Sequence, residues 1–326
     1  MPTRMRLMCT TSTPIEHLSG EPLRRKIATR PPFATLHMRP TPTTLPPSLP
    51  AFAAVQSALL LAGLAALGVQ ASSAPPMHSA LGVATLLVAA WALWAALRER
   101  ISPLQALMVQ AGALATATSA MGLLHWHWLF KPLTMVIAII FVAYSARQIS
   151  AGGQFSSKSW GLLVAALVGS LAGDAFLMVE GFFIPGLVSF LLAHLAYIAL
   201  FKQGVPWFAH RGALAATVGV GAAMYLFLWQ GGLPPELRVP VAVYVLVIAL
   251  MAAQALGRTR TLGDRAAHQV ALGACIFMLS DALLATNRFV LPLPLAQVGV
   301  LTTYYAAQAF IVHGTVRGLL AGRQSV

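Results

Sequence analysis

The chain has 326 residues, 58% of them hydrophobic and only 9% charged, with a mean hydropathy of +0.76. Soluble domains carry roughly a quarter charged residues, so a water-soluble globule is excluded. The net charge of +13 would suggest nucleic acid in a soluble protein, but here the cations sit in short segments between long apolar runs; the charge reports topology, and no nucleic-acid partner is expected.

In chain order, residues 1–50 contain ten prolines and seven Lys/Arg without apolar periodicity. Such a segment cannot bury enough surface to offset the entropy of ordering, so it is expected to be a disordered basic tail. No continuous apolar region precedes Ala51, which argues against a conventional signal peptide. From there, apolar stretches occupy 51–70, 79–97, 103–124, 131–147, 159–179, 182–202, 212–229, 239–257, 266–286 and 293–316. Each is near the ~20 residues a helix needs to cross ~30 Å of hydrocarbon. In lipid, backbone polar groups must be satisfied within the segment, so each stretch is predicted to be a helix and the fold class is an all-α polytopic membrane protein. A short tail, 317–326, follows.

With the N-terminal tail inside and ten crossings, every inside segment is basic, and only Lys131, Arg238 and Arg288 fall outside. Both termini are therefore expected to be cytoplasmic, in the cell membrane.

Sliding the chain on itself by 107 residues superimposes Asp174-Ala175 on Asp281-Ala282, Leu177 on Leu284, Phe182 on Phe289, Pro185 on Pro292, Tyr197 on Tyr304 and Lys131 on Arg238. The unit spans four helices. An even number keeps both copies in one orientation, so parallel repeats are expected, each contributing one aspartate. Asp174 and Asp281 fall at matching depth, one to two turns below the outer surface. A carboxylate there costs a few kcal/mol, so function is the default reading. The bland alternative is that each bonds a neighbouring helix. Two nearby carboxyls hinder each other's ionisation, leaving one acid and one base between them. Gly169 and Gly173 form a small-xxx-small pair that would admit another helix close to Asp174.

Lys131, Arg238 and Arg288 share the aspartates' side and could hold a phosphate at a cavity mouth, though snorkelling serves Arg238 equally well. Asn287 and Glu180 occupy equivalent outer-edge positions, where solvation suffices. His125 and His127 alternate with Trp126 and Trp128, a pattern that suits an interfacial aromatic belt better than a metal site. His194 lies mid-helix, either a core histidine or a catalytic accessory, and lacks companions for zinc. Tyr304, Tyr305 and Gln308 punctuate the last helix with polar groups that suit helix-to-helix bonds. Cys9 and Cys275 lie in unlike environments and suggest no disulfide. No metal and no cofactor are expected.

Several stretches resemble the YhhN family of transmembrane lysoplasmalogenases. They are Phe130-Lys131-Pro132-Leu133-Thr134, Leu171-Ala172-Gly173-Asp174, Phe190-Leu191-Leu192-Ala193-His194-Leu195-Ala196-Tyr197, Ser280-Asp281-Ala282-Leu283-Leu284-Ala285-Thr286-Asn287-Arg288-Phe289 and Thr303-Tyr304-Tyr305-Ala306-Ala307-Gln308. The resemblance covers about 103–316 and implies an eight-helix catalytic core, with 51–102 as two additional helices. It also implies a lysophospholipid substrate in the bilayer, cleaved at its vinyl ether bond to a fatty aldehyde and glycerophosphocholine or glycerophosphoethanolamine. The family's two essential aspartates map onto Asp174 and Asp281. Lys131, His194, Tyr197, Asn287, Arg288, Tyr304 and Gln308 are the substrate-binding candidates. Vinyl ether cleavage needs a proton delivered to carbon, stabilisation of an oxocarbenium ion and an activated water, all within reach of a carboxyl pair. The rival reading is a proton-coupled transporter with the pair as an ion relay; no further acidic residue lies in the inner half of any predicted helix to continue such a path.

Overall fold

The computed structural model describes residues 76–150 and 157–321, with Val55, Gln56 and Ala58 before them. The tail expected at 1–50, nearly all of the span expected at 51–70 and residues 322–326 lie outside the described residues. Among those described, the regular elements are all α-helices: α1 (Pro76–Leu97), α2 (Pro103–Ala120), α3 (Leu124–Ser150), α4 (Ser157–Leu177), α5 (Phe183–Phe201), α6 (Arg211–Gln230), α7 (Pro235–Leu262), α8 (Arg265–Phe289) and α9 (Ala296–Ala321).

Seven of them, α1 and α3 through α8, are long and apolar enough to cross a membrane. The stretches expected at 103–124 and 293–316 are helices too, but α2 and α9 fall short of that hydropathy because they carry polar side chains into the bundle. Gln110, Thr118 and Gln308 are fully buried, and the Thr116 and Thr118 hydroxyls donate back to the carbonyls of Gly112 and Leu114. The polar content is thus spent inside the protein, not on lipid.

Helix ends follow local chemistry. Ser102 caps α2 in a reciprocal pair with Gln105, ahead of Pro103 at the first helical position. Asp264 caps α8 by accepting from the Ala267 N–H at 2.6 Å. Gly263 ends α7 at φ 65°, a left-handed conformation that favours glycine. Pro132 does not delimit α3, which begins at Leu124, seven residues ahead of the expected start at 131; the proline lies inside the helix, where it removes the one N–H that would bond the Trp128 carbonyl.

The helices form a closed ring in the order α2, α3, α4, α5, α7, α8, α9 and back to α2, with α1 outside against α2 and α6 outside against α7. Gln105 donates to His313 Nδ1 at 2.6 Å to tie α2 to α9. The Arg258 guanidinium donates to the Phe201 and Gln203 carbonyls, tying α7 to the C-terminus of α5. The closest approach of a glycine to neighbouring backbone, among the described residues, is α8 on α9. A Cβ at Gly273 would stand 2.8 Å from the Ala307 carbonyl oxygen, and one at Gly314 2.8 Å from that of Ala266. Because backbone cannot yield as a flexible side chain can, Gly273→Ala is expected to lower the thermal midpoint of the purified protein by an overpacking cost of about 1–3 kcal/mol. An unchanged midpoint would contradict that account of the interface.

Candidate functional site

The site is built where six of the ring helices share one end of the bundle. Asp174 lies in the last turn of α4, 2% exposed. The pair Gly169 and Gly173 lets α5 come close, as the sequence suggests: a Cβ at Gly169 would meet Ala193 and the Ser189 carbonyl, and one at Gly173 would strike the Phe190 ring. Phe190 therefore forms an apolar wall beside the carboxyl. Asp174 Oδ2 accepts from the Tyr304 hydroxyl of α9 at 2.7 Å, and its Oδ1 lies 3.4 Å from Lys131 Nζ of α3.

Asp281 sits on α8 and its Oδ2 accepts from the Tyr244 hydroxyl of α7. It pairs with no cation among the described residues. Both aspartates line one cavity of about 940 Å³. Each carboxyl is thus held by a tyrosine from another helix, while only one of the two has a counter-ion.

The sequence-derived candidates separate into two groups. Lys131, Asn287, Arg288 and Tyr304 line the cavity with the two aspartates; His194, Tyr197 and Gln308 do not. These last three are fully buried behind the wall. The Tyr197 hydroxyl donates to Gln308 Oε1 at 2.6 Å and Gln308 Nε2 donates to Ser170 at 3.1 Å, a chain that locks α5, α9 and α4 together. The His194 ring packs edge-on against Tyr244 and Phe277, with centroids 5.3 and 4.8 Å away, and so backs the tyrosine that holds Asp281.

Two expectations need correction. Lys131 does not stand at the mouth: it is 8% exposed and paired with Asp174, because a buried carboxylate offers the stronger partner. His127 is not part of an interfacial belt but turns inward, its Nδ1 3.0 Å from the Ala115 carbonyl oxygen, on the cavity wall. Asn287 spends its side-chain oxygen on the Leu293 N–H, fixing the α8–α9 connection. Arg288 is exposed at the cavity rim, its guanidinium 4.1 Å from the Phe183 ring. Arg238 stacks over Trp229 and does not line the cavity.

Tyr244 has no signal in the sequence. The 107-residue shift places Ile137 at its equivalent, so the repeat points away from it, and only its intramembrane hydroxyl distinguishes it.

Residues 126–315 match the model of the YhhN family. Lysoplasmalogenase TMEM86B of Sus scrofa is 35% identical over 184 residues, which is 56% of this chain and 72% of the relative. The human protein of that name is 32% identical over 188 residues, 58% of this chain and 76% of its own length. A lysoplasmalogenase of Mycobacterium bovis is 30% identical over 199 residues, 58% and 71% respectively. No solved structure matches the chain.

Proposed function

The chain belongs to the YhhN family, and on that premise we propose that it is a membrane hydrolase of lysoplasmalogens. In this reading it cleaves the vinyl ether bond to release a fatty aldehyde and glycerophosphocholine or glycerophosphoethanolamine. The observation that carries the reading is the meeting of Asp174 and Asp281, from separate helices, in one apolar cavity with a single counter-ion between them.

That counter-ion divides the labour. An ionised carboxylate away from water needs a cation beside it. Lys131 serves Asp174, and Asp281 has none, so Asp174 acts as the carboxylate and Asp281 as the neutral acid. Asp281 delivers its proton to the vinyl carbon remote from the ether oxygen, and the electron pair of the double bond forms the new C–H bond. The resulting oxocarbenium ion faces the Asp174 carboxylate, which stabilises it and takes a proton from the water that attacks its carbon. The hemiacetal then collapses: its hydroxyl proton returns to Asp281, the C–O bond to glycerol breaks, and the glycerol oxygen takes the proton held by Asp174. One water is consumed and both aspartates are restored. Tyr304 and Tyr244 fix the carboxyl orientations, with His194 packed behind Tyr244 as a positioning residue. Arg288 at the rim is the cation for the phosphate, a role that Lys131 leaves free by pairing with Asp174.

Topology fits the same reading. The described helices alternate in direction, so Arg98, Arg100, Arg147, Lys158, Lys202, Arg211, Arg258, Arg260, Arg265 and Arg317 gather at the end opposite the aspartates. By the positive-inside rule the dyad opens outward, in the cell membrane, with both termini cytoplasmic.

The test is substrate selectivity in reconstituted vesicles. Wild type is expected to release aldehyde from a 1-alkenyl lysophosphocholine and to leave the saturated 1-alkyl analogue intact, since that analogue has no double bond to protonate. Equal cleavage of both, or proton flux without product, would contradict the proposal.

A further inference from the structure

The repeat would place α6 in the ring, but the ring closes without it. A shift of 107 residues carries α2 onto α6. α2 closes the ring between α9 and α3, whereas α5 packs directly on α7 and its neighbour α6 stands outside. Near its C-terminal end α6 does reach α8, where Leu228 joins a cluster with Ala285 and Phe289, and Gly231 abuts Val290. Toward its N-terminus the two helices part.

The gap between them continues the dyad cavity. Its sides are Ala216 and Val220 of α6 and Cys275 and Leu279 of α8, all four exposed, and its back wall is Val245 and Ile248 of α7. No charged group lines this arm. Cys275 stands about 9 Å along α8 from Asp281, at 1.5 Å per residue, so the groove runs from the dyad toward the middle of the bundle. The Thr217 hydroxyl on the α6 side donates back to the Leu214 carbonyl, and the charged Arg288 and polar Gln297 lie at the opposite end of the cavity. A volume of about 940 Å³ falls in the range of small-ligand sites. The cavity is therefore polar at its rim, reactive at its centre and apolar along an arm that opens sideways, the order of chemistry in a lipid with one chain.

We infer that the single hydrocarbon chain of the lysolipid enters from the bilayer through the groove between α6 and α8 and lies along it, with the ether at the dyad and the headgroup toward Arg288. This rests on the reading of the dyad as a lysolipid hydrolase, and it assigns Val220 and Cys275 as chain-contact residues.

Cys275 is itself a probe. In Cys9→Ser protein, reconstituted in vesicles, it is the sole cysteine, and its alkylation by N-ethylmaleimide is expected to slow several-fold with saturating 1-O-hexadecyl lysophosphocholine. Glycerophosphocholine, which has the headgroup and no chain, is expected to leave the rate unchanged. Because the saturated ether is not turned over, this measurement reads the groove separately from the chemistry: protection without wild-type vinyl ether turnover would sink the hydrolase and keep the groove. An unchanged alkylation rate, or equal slowing by glycerophosphocholine, would overturn the inference.

A second variant reads the groove through turnover. Val220→Trp narrows it from an exposed position, and is expected to shift kcat/KM for hexadecenyl against octenyl lysolipid by about tenfold or more, the scale of pocket discrimination between apolar groups. Leu226→Trp, equally exposed on α6 but off the groove, is expected to leave that ratio as in wild type. A Val220→Trp loss that is the same for both chain lengths would also overturn the assignment.

Discussion

Asp281→Asn is expected to lower kcat for vinyl ether cleavage by about 10²–10⁴-fold, the contribution of a positioned general acid. The amide keeps the shape and still accepts the Tyr244 hydrogen bond through its carbonyl oxygen, but it has no acidic proton for the vinyl carbon. Because Asp281 is not ion-paired, the substitution leaves no charge uncompensated, and the folded protein is expected to melt near wild type. Asp174→Asn is expected to lose a similar factor for a different reason: it removes the charge opposite the oxocarbenium ion and the acceptor for the water's proton, and it orphans Lys131. Activity of Asp281→Asn within about twofold of wild type would remove Asp281 from the chemistry, since a general acid contributes at least two orders of magnitude.

The second large effect concerns stability. Lys131→Met removes the cation beside a carboxyl that is 2% exposed, and breaking a buried pair by deleting one partner costs about 3–5 kcal/mol. A marked fall in the thermal midpoint of purified Lys131→Met is expected, together with loss of turnover. The double variant Lys131→Met/Asp174→Asn removes both charges and is expected to recover most of the midpoint while remaining inactive. A double variant that melts as low as Lys131→Met would mean that the lysine acts through packing of its stem and not through the pair.

These effects separate what the repeat made legible from what it hid. Apolar runs of about 20 residues made the helices legible, because a helix satisfies its backbone hydrogen bonds within one such segment. The 107-residue shift linked the two aspartates, and the cavity brings them together. The helix bounds obey the same shift, with α3 onto α7, α4 onto α8 and α5 onto α9. The break in symmetry was not legible. Repeat logic would give Asp281 a cation from Arg238 and a hydroxyl from Tyr197, the equivalents of Lys131 and Tyr304. Instead Arg238 stacks on Trp229, Tyr197 bonds Gln308, and Tyr244 comes from another helix altogether. Such choices depend on which neighbour lies within bonding distance, and the displacement of α6 out of the ring changes the neighbours of α7 and α8. Side chains with long reach, such as Lys131, are the least constrained by register, and its pairing with Asp174 had no signal in the sequence.

The central claim is that the dyad protonates carbon and directs water to the neighbouring carbon. Wild type is therefore to be given a 1-alkenyl lysophosphocholine in D₂O, with the aldehyde trapped by reduction as it forms and its mass and labelling position read. The account predicts a single deuteron, on the carbon next to the aldehyde carbon, because the proton of Asp281 exchanges with solvent before it is transferred. Aldehyde lacking deuterium at that carbon, or no aldehyde from folded protein, would contradict it.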